Sequence, residues 1–493
     1  NDSADYFLGG RDATWLAIGA SIFASNIGSE HLIGLAGAGA SSGMAMAHWE
    51  IQGWMILILG WVFVPFYSRS MVYTMPEFLE RRYNPQSRTI LSVISLVSYV
   101  LTKVAVTVYA GGLVFQQVFG IKELWGIDFF WIAAIGLVVL TALYTIFGGM
   151  KSVLYTSVLQ TPILLLGSLI ILVLGFKELG GWDEMMRVCG AVTVNDYGDT
   201  MTNLIRSNDD ANFPWLGALI GSAIIGFWYW CTDQFIVQRV LSGKNEKEAR
   251  RGTIFGAYLK LLPVFLFLIP GMIAFALHQK YIGAGGEGFL PMLANGTANA
   301  DAAFPTLVAK LLPAGVKGLV VCGILAALMS SLASLFNSSA MLFTIDFYKR
   351  FRPETPEKKL VGIGQIATVV IVILGILWIP IMRSVGDVLY TYLQDVQSVL
   401  APGIAAAFLL GICWKRTSAQ GGMWGLIAGM IIGLTRLGAK VYYSNAGEVA
   451  DSTFKYLFYD MNWLFFCGWM FLFCIIVVIV VSLATEAPTA EKI

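Results

Sequence analysis

Charge is what this sequence has least of. Lys, Arg, Asp and Glu together make up 13% of its 493 residues, about half the share usual for a soluble globular chain. The net charge of +1 supplies no basic field for nucleic acid, and no stretch is basic enough for a nucleic-acid-binding tail. Only three histidines are present, scattered and without HExxH spacing, so no metal-hydrolase or nucleophile–base constellation is in view and no enzyme is expected. Repeated rings of charge and filter sequences are missing as well, which argues against a channel. Of the six cysteines, Cys231, Cys322, Cys413, Cys467 and Cys474 fall in or beside apolar runs and Cys189 alone lies in a long loop. No disulfide framework follows from that distribution.

What the sequence has instead is hydrocarbon, with 57% apolar residues. Runs long enough to cross about 30 Å of bilayer recur at 13–29, 45–68, 104–121, 129–150, 152–176, 213–232, 253–277, 318–345, 360–382, 396–414, 417–435 and 462–484. The chain is therefore expected to be an all-α polytopic protein of the plasma or inner membrane. Arg69, Arg81, Arg82 and Arg88 follow the second run, Lys151 the fourth, Arg239 to Arg251 the sixth, Lys349 to Lys359 the eighth, and Lys415 and Arg416 the tenth. Short basic loops mark the cytoplasmic side. The long loops 177–212 and 278–305 then face outward. Five spans that begin inside end outside, so a second set of five must run inverted. This predicts a five-plus-five inverted-repeat transporter core with additional helices, divided as 12–176, an outer loop 177–212, a second repeat 213–414 and C-terminal helices 415–493.

Polar groups interrupt these runs. "ASNIGSEHLIG" at 24–34 sets Ser25, Asn26, Ser29, Glu30 and His31 in the first span, and "GFWYWCTDQ" at 226–234 gives the sixth a similar aromatic and polar concentration. An ionised group at mid-membrane costs about 2.5–3.5 kcal/mol on insertion scales and needs a partner or a wet cavity. Glu50, Lys103, Asp233, Lys260, Asp395 and the imidazoles of His31 and His48 all sit within or at the edges of spans, which implies a polar cavity, and Gln394 opens the polar run "QDVQS". Donors, acceptors and flat aromatics together suit a polyhydroxylated ligand. Position alone leaves plainer readings open: Lys260 snorkelling to the interface, Lys103 and Asp233 as a structural pair or helix cap, the aromatics at 228–230 as an interfacial belt, His48 as a packed side chain, and Ser330 and Ser331 as small residues for close helix contact.

The segments "DYFLGGR", "ASNIGSEHLIGLAGAGASSG", "TMPEFLERRY", "WYWCTDQFIVQRVLSGKN", "YLKLLPVFLFLIPGM" and "AALMSSLASLFNSSAMLFTIDFYKR" resemble the sodium/glucose cotransporter branch of the solute:sodium symporter family, from about residue 5 to about residue 434. The resemblance implies sodium-coupled symport of a glucose- or galactose-type monosaccharide, with a myo-inositol or other polyol carrier as the alternative. It implies that Asn26, His31, Glu50, Lys260 and Gln394 hydrogen-bond sugar hydroxyls, that Trp230 lines the pocket and that Tyr229 closes it. It further implies a sodium ion held by the carbonyls of Ala24, Ile27 and Ala327 and the hydroxyls of Ser330 and Ser331. Oxygen-only ligation suits a hard cation. Two features depart from the pattern: Gly53 and Gly226 lack side chains that relatives carry, and Ser157 and Ala333 stand where two-sodium relatives have an aspartate and a hydroxyl.

Overall fold

The computed structural model describes residues 3–28, 30–293, 296–385, 389–445 and 451–489. The helices that matter for the site are α1 (Trp15–Asn26), α2 (Glu30–Ser70), α3 (Pro85–Phe119), α4 (Phe129–Leu179), α5 (Trp215–Thr232), α6 (Gln234–Leu241), α7 (Glu246–Gly283), α8 (Ala314–Phe351), α9 (Glu357–Val385), α10 (Leu389–Cys413), α11 (Ala419–Asn445) and α12 (Trp463–Ala484). Among the described residues, ten helices are long and apolar enough to cross a bilayer. The twelve expected runs reduce to ten for two reasons. Runs four and five are continuous in α4, broken within it at Gly149 (φ 54°, ψ −151°). The first run is not one helix of 13–29 but a short α1 and a second half that continues in α2 as far as Ser42.

Each break has a local cause. Gly43 closes that half-helix with φ 73° and ψ −144°, a conformation open essentially to glycine, and a Cβ there would collide with the carbonyl oxygen of Met201. At Pro263 the missing N–H and the ring end the first part of α7. Leu262 N–H then turns back to Leu259 O at 3.1 Å, and Lys260 is left in the turn between two helical segments. Between α5 and α6, Asp233 takes an extended conformation (φ −75°, ψ 128°), and its carboxylate accepts from Phe235 N–H. An intact transmembrane helix consumes its own backbone groups, so only such interruptions expose carbonyls and N–H groups to a site.

Basic loops collect at one end of the bundle. There Arg11 donates to Val72 O at 2.9 Å, Arg82 to Thr417 O at 3.1 Å, Arg88 to Asp346 at 2.7 Å, and Trp15 N–H reaches Glu248 at 2.8 Å. At the opposite end Met44 N–H binds Met201 O at 2.7 Å, Tyr281 binds Glu178 at 3.1 Å and Asn462 binds Ala211 O at 2.6 Å. Arg206 at that end donates to Ser42 O and pairs with Asp210 at 3.5 Å. Burial favours the neutral acid at Asp210, but N–H groups of Phe213 and Asn212, the Asn195 amide and the Arg206 charge outweigh it and hold the carboxyl below its usual range.

Inside the bundle α4 runs along α8, α1 packs on the first part of α7, and α10, α11 and α12 form a flank of their own. Apolar side chains such as Phe147 and Leu159 on α4 point outward, 78% and 70% exposed, as lipid-facing residues do. The half-helix 30–42 crosses α7 on glycine: a Cβ at Gly39 would strike Leu268 O, and one at Gly271 would strike Ala36 O. Such small-residue crossings let two backbones touch where lipid supplies no hydrophobic drive. Gly271→Val should therefore lower the thermal midpoint in detergent by the equivalent of about 1–3 kcal/mol of overpacking. Gly318→Ala, which meets nothing within 4 Å, should leave that midpoint unchanged or slightly raised.

Candidate functional site

α1 stops where its polar residues begin. Ile27 N–H still closes on Phe23 O at 2.9 Å, but Gly28 N–H, which a continuing helix would direct to Ala24 O, binds Asn26 O at 3.1 Å. The chain then restarts with His31 and Leu32 N–H both on Gly28 O. Asn26 and His31 thus stand on either side of a gap in the helix. Glu50 faces them from α2, Tyr229 and Trp230 from the end of α5, and Lys260 from the turn in α7. These six residues line one cavity, together with Glu30, Leu35, Met46, Trp49, Gln52, Ile225, Leu393 and Gln397. The seventh expected sugar contact, the Gln394 side chain, lies outside the described residues.

The polar core of the cavity is a buried cluster. Lys260 Nζ is 2.6 Å from Glu50 Oε2 and 2.7 Å from His31 Nε2, which in turn is 3.1 Å from Glu50 Oε1. The Lys260 and Glu50 side chains are only 5% and 3% exposed, so a snorkelling Lys260 is excluded. His31 Nε2 either donates to Glu50 or accepts from Lys260, and in both cases Nδ1 keeps no partner. Asn26 donates to Tyr229 Oη at 2.9 Å, while its Oδ1 is buried without a partner. Lys260 also sits 5.6 Å above the Trp230 ring, and Tyr229 meets Trp230 edge-on at 4.9 Å. An ion pair, unfilled hydrogen-bonding atoms and a flat aromatic wall line a cavity of about 40 Å³.

Lys103 and Asp233 prove to be the structural pair. They meet at 2.7 Å, Tyr99 donates to the same carboxylate, and Lys103 lies 4.4 Å above the Tyr229 ring. This ties the interruption after α5 to α3, behind the aromatic that faces the cavity. His48 accepts its plainer reading too, bonded to Ala45 O and packed edge-on at 5.4 Å against Phe213.

Next to the cavity, hydroxyls gather where α1 touches α4, α6 and α8. Ser331 donates to Ser25 O at 2.8 Å, and a Cβ on Gly28 would come within 2.5 Å of Ser331 Oγ. Ser330 Oγ is 3.2 Å from Ser157 Oγ of α4, and Ser334 Oγ is 2.8 Å from Ser25 Oγ. Ala24, Ile27, Ala327, Ser330 and Ser331 are all buried around this contact. The donor set is hydroxyls and carbonyls at a helix break, which fits a hard monovalent cation. Among the described residues no cluster of His, Cys, Asp or Glu could hold a metal ion. Arg239 of α6, fully buried, donates through Nε to Ser21 at 3.2 Å and Ser25 at 3.0 Å, and neither Nη has a partner.

Helical periodicity passes over some of the lining. Gln52 follows Glu50 by two positions, which in an α-helix points about 160° away, yet both reach the cavity. Residues Gln52–Trp54 are wound as a 3-10 helix, whose tighter turn brings such a neighbour closer to the same face. Gln397 was signalled by the run "QDVQS", three residues beyond Gln394.

The sodium:solute symporter family model matches residues 6–429. Sodium/myo-inositol cotransporter 2 of Homo sapiens is 37% identical, with 99% of this chain and 73% of that protein aligned. Sodium/glucose cotransporter 1 of Ovis aries is 39% identical over 99% of this chain and 75% of its own length. Among solved structures, a sodium-coupled sialic acid symporter in a substrate-bound outward-open state aligns with a TM-score of 0.78 at 21% identity, over 99% of this chain and 93% of the other, a likeness of fold. The match in sequence along nearly the whole chain, on a bundle of interrupted transmembrane helices, establishes that this protein belongs to the sodium:solute symporter family.

Proposed function

We propose that this sodium-coupled symporter carries a monosaccharide of glucose or galactose type in the cavity lined by Asn26, His31, Glu50, Tyr229, Trp230 and Lys260, with Gln394 as a further contact. The observation that carries the reading is the set of unmet polar atoms there: Asn26 Oδ1 and His31 Nδ1 are buried without partners beside the Lys260–Glu50 pair. A ring of hydroxyls, each both donor and acceptor, satisfies such a lining, and the Trp230 face covers the C–H side of a pyranose. Myo-inositol offers the same chemistry. The relatives' names support both substrates, one being a sodium/myo-inositol and the other a sodium/glucose cotransporter. Uptake of labelled glucose, galactose and myo-inositol into proteoliposomes, with and without an inward sodium gradient, tests the reading and ranks the substrates.

Sodium would be held by carbonyls of Ala24, Ile27 and Ala327 and hydroxyls of Ser330 and Ser331. The ion would supply charge to draw the broken end of α1 onto α8; the chain's own residues supply the oxygens and, across the same break, Asn26 and His31 for the sugar. One gap in α1 thus serves both ligands, and binding of either favours the arrangement the other needs. The repeats 12–176 and 213–414 would then rock about the joint site, with the loop 177–212 and helices 415–493 outside the moving pair and Tyr229 as the inner closure. One sodium moving down about 100 mV and a tenfold gradient yields about 2.3 plus 1.4 kcal/mol, enough to concentrate sugar about 500-fold.

A stoichiometry of one sodium per sugar is supported by the neighbourhood of Ser157. Among the described residues the Ser157 hydroxyl meets only neutral partners, Ser21, Ser330 and Val153 O, and Ser21, 3.5 Å away, already takes a hydrogen bond from the buried Arg239. A second cation there would add a like charge near that guanidinium with no carboxylate ligand to offset it. The reversal potential should therefore move with imposed sodium gradients as for one ion; a shift appropriate to two overturns this.

Lys260→Ala should abolish sodium-driven uptake, and it should also lower the thermal midpoint, because it strands a buried carboxylate at a cost of about 3–5 kcal/mol. The double variant Lys260→Ala with Glu50→Gln should recover the midpoint and still fail to transport. Recovery of uptake in that double variant would show that the pair is purely structural. Ser331→Ala should raise the sodium concentration for half-maximal uptake about tenfold, as expected for the loss of one oxygen ligand worth about 1.4 kcal/mol. An unchanged sodium dependence at saturating sugar removes Ser331 from the site.

A further inference from the structure

One amide of the cavity wall, that of Gln52, is left unused by the ion pair and by the break in α1. Gln52 is 7% exposed, lines the same cavity as Asn26 and His31, and its Oε1 is buried without a hydrogen-bond partner. Across from it stands Gly226 of α5. A Cβ built at Gly226 would lie 2.8 Å from Gln52 Oε1, 3.3 Å from Gln52 Cβ and 3.2 Å from Met55 Cγ. The amide therefore occupies the room that any side chain at 226 would claim. Gly53 makes the companion arrangement with Lys260, whose Cγ would come within 2.7 Å of a Cβ at 53. At both glycines a longer neighbour passes through the space a side chain would fill and carries its polar end into or beside the cavity.

We propose that Gln52 is a substrate-binding residue of this site, its amide taking one hydroxyl of the polyol, and that Gly226 is the positioning residue that holds it there. The Gln52–Gly226 pair then selects among polyols by the presence and geometry of that one hydroxyl. The proposal rests on the cavity being the sugar site. Its physical basis is the asymmetry of buried hydrogen bonds: a site built to bond a hydroxyl discriminates strongly against an analogue without it, because its own polar group is then left unpaired. A Gln52 that merely packed between α2 and α5 would contribute equally to every substrate.

The test uses the full chain in proteoliposomes with an inward sodium gradient. Uptake of the preferred sugar or inositol is competed by a series of its monodeoxy analogues, for the unmodified protein, Gln52→Leu, Gly226→Ala and the double variant. For Gln52→Leu the half-saturating concentration of the parent substrate should rise about tenfold, as for one lost hydrogen bond, with the sodium dependence at saturating substrate and the thermal midpoint preserved. One deoxy analogue should be nearly insensitive to the substitution, so that the preference for the parent over that analogue shrinks about tenfold while the other preferences stand. Gly226→Ala, which leaves Gln52 in the chain, should reproduce that pattern by displacing the amide, and the double variant should be no weaker than Gln52→Leu alone, as coupled neighbours require. A uniform loss across all analogues, or no loss, in both single variants overturns the role of Gln52 while leaving the sugar site standing. An unmodified protein that takes up no polyol under a sodium gradient overturns the site and the inference together.

Discussion

The Lys260–Glu50 pair, closed by His31, is the contact on which the centre of this protein turns. Two opposite charges 2.6 Å apart and nearly fully buried are tolerable in a membrane bundle only because each neutralises the other and because neither reaches lipid. That requirement fixes three segments at once: the half-helix that opens α2 at His31, the part of α2 beyond Gly43 that carries Glu50, and the turn before Pro263 that carries Lys260. Gly53 lets the lysine stem through, and Trp230 covers its ammonium. The polar remainder of the cavity, with Asn26, Glu30, Tyr229 and Gln52, surrounds that pair and offers the mixed donors and acceptors a hydroxyl-rich solute needs.

Helix interruption is the means by which the fold reaches that state. α1 breaks at Ile27 and Gly28, α5 and α6 part at Asp233, and α7 parts before Pro263. Each break is backed by a different partner: the serines of α8 and Arg239 behind the first, Lys103 and Tyr99 behind the second, Glu50 behind the third. A broken helix in hydrocarbon without such backing would strand several backbone groups at several kcal/mol each. The serine cluster and the sugar cavity are therefore two sides of one gap in α1, with Ser25 turned to α8 and Asn26 turned to Tyr229. Sequence neighbours on opposite faces of a broken turn give a short physical path for coupling between an ion and a solute.

The partner across the packing contact, more than burial, separates residues that look alike in the sequence. Lys260 and Lys103 look alike in the sequence, each a lone lysine in an apolar run. Lys260 is aimed into the cavity, while Lys103 is spent on Asp233 behind the aromatic wall. Asp233 itself doubles as the cap of α6, so its charge is committed to structure. Nothing in the local sequence separates the two lysines, because the distinction depends on which helix packs opposite, and that is a contact between residues more than a hundred positions apart.

The sequence by itself determined the solvent, the approximate number of crossings, the segregation of basic loops to one end and the family, because hydropathy and long motifs are local properties written in consecutive residues. It also named six of the residues that share the cavity: Asn26, His31, Glu50 and Lys260 are conspicuous as polar side chains in hydrocarbon, while Tyr229 and Trp230 came through the family resemblance. It placed the first span at 13–29, whereas the helix stops at Asn26 and its second half runs to Ser42; the break falls at Gly28, where Ser331 of α8 comes too close for any side chain. Gln52 escaped a helical reading because a 3-10 stretch rotates it and because its place is decided by the missing side chain at Gly226, on another helix. Only the tertiary structure decided which charges pair, which amide stays unmet and which glycine makes room, for those are questions of distance between segments that the order of residues along the chain leaves free.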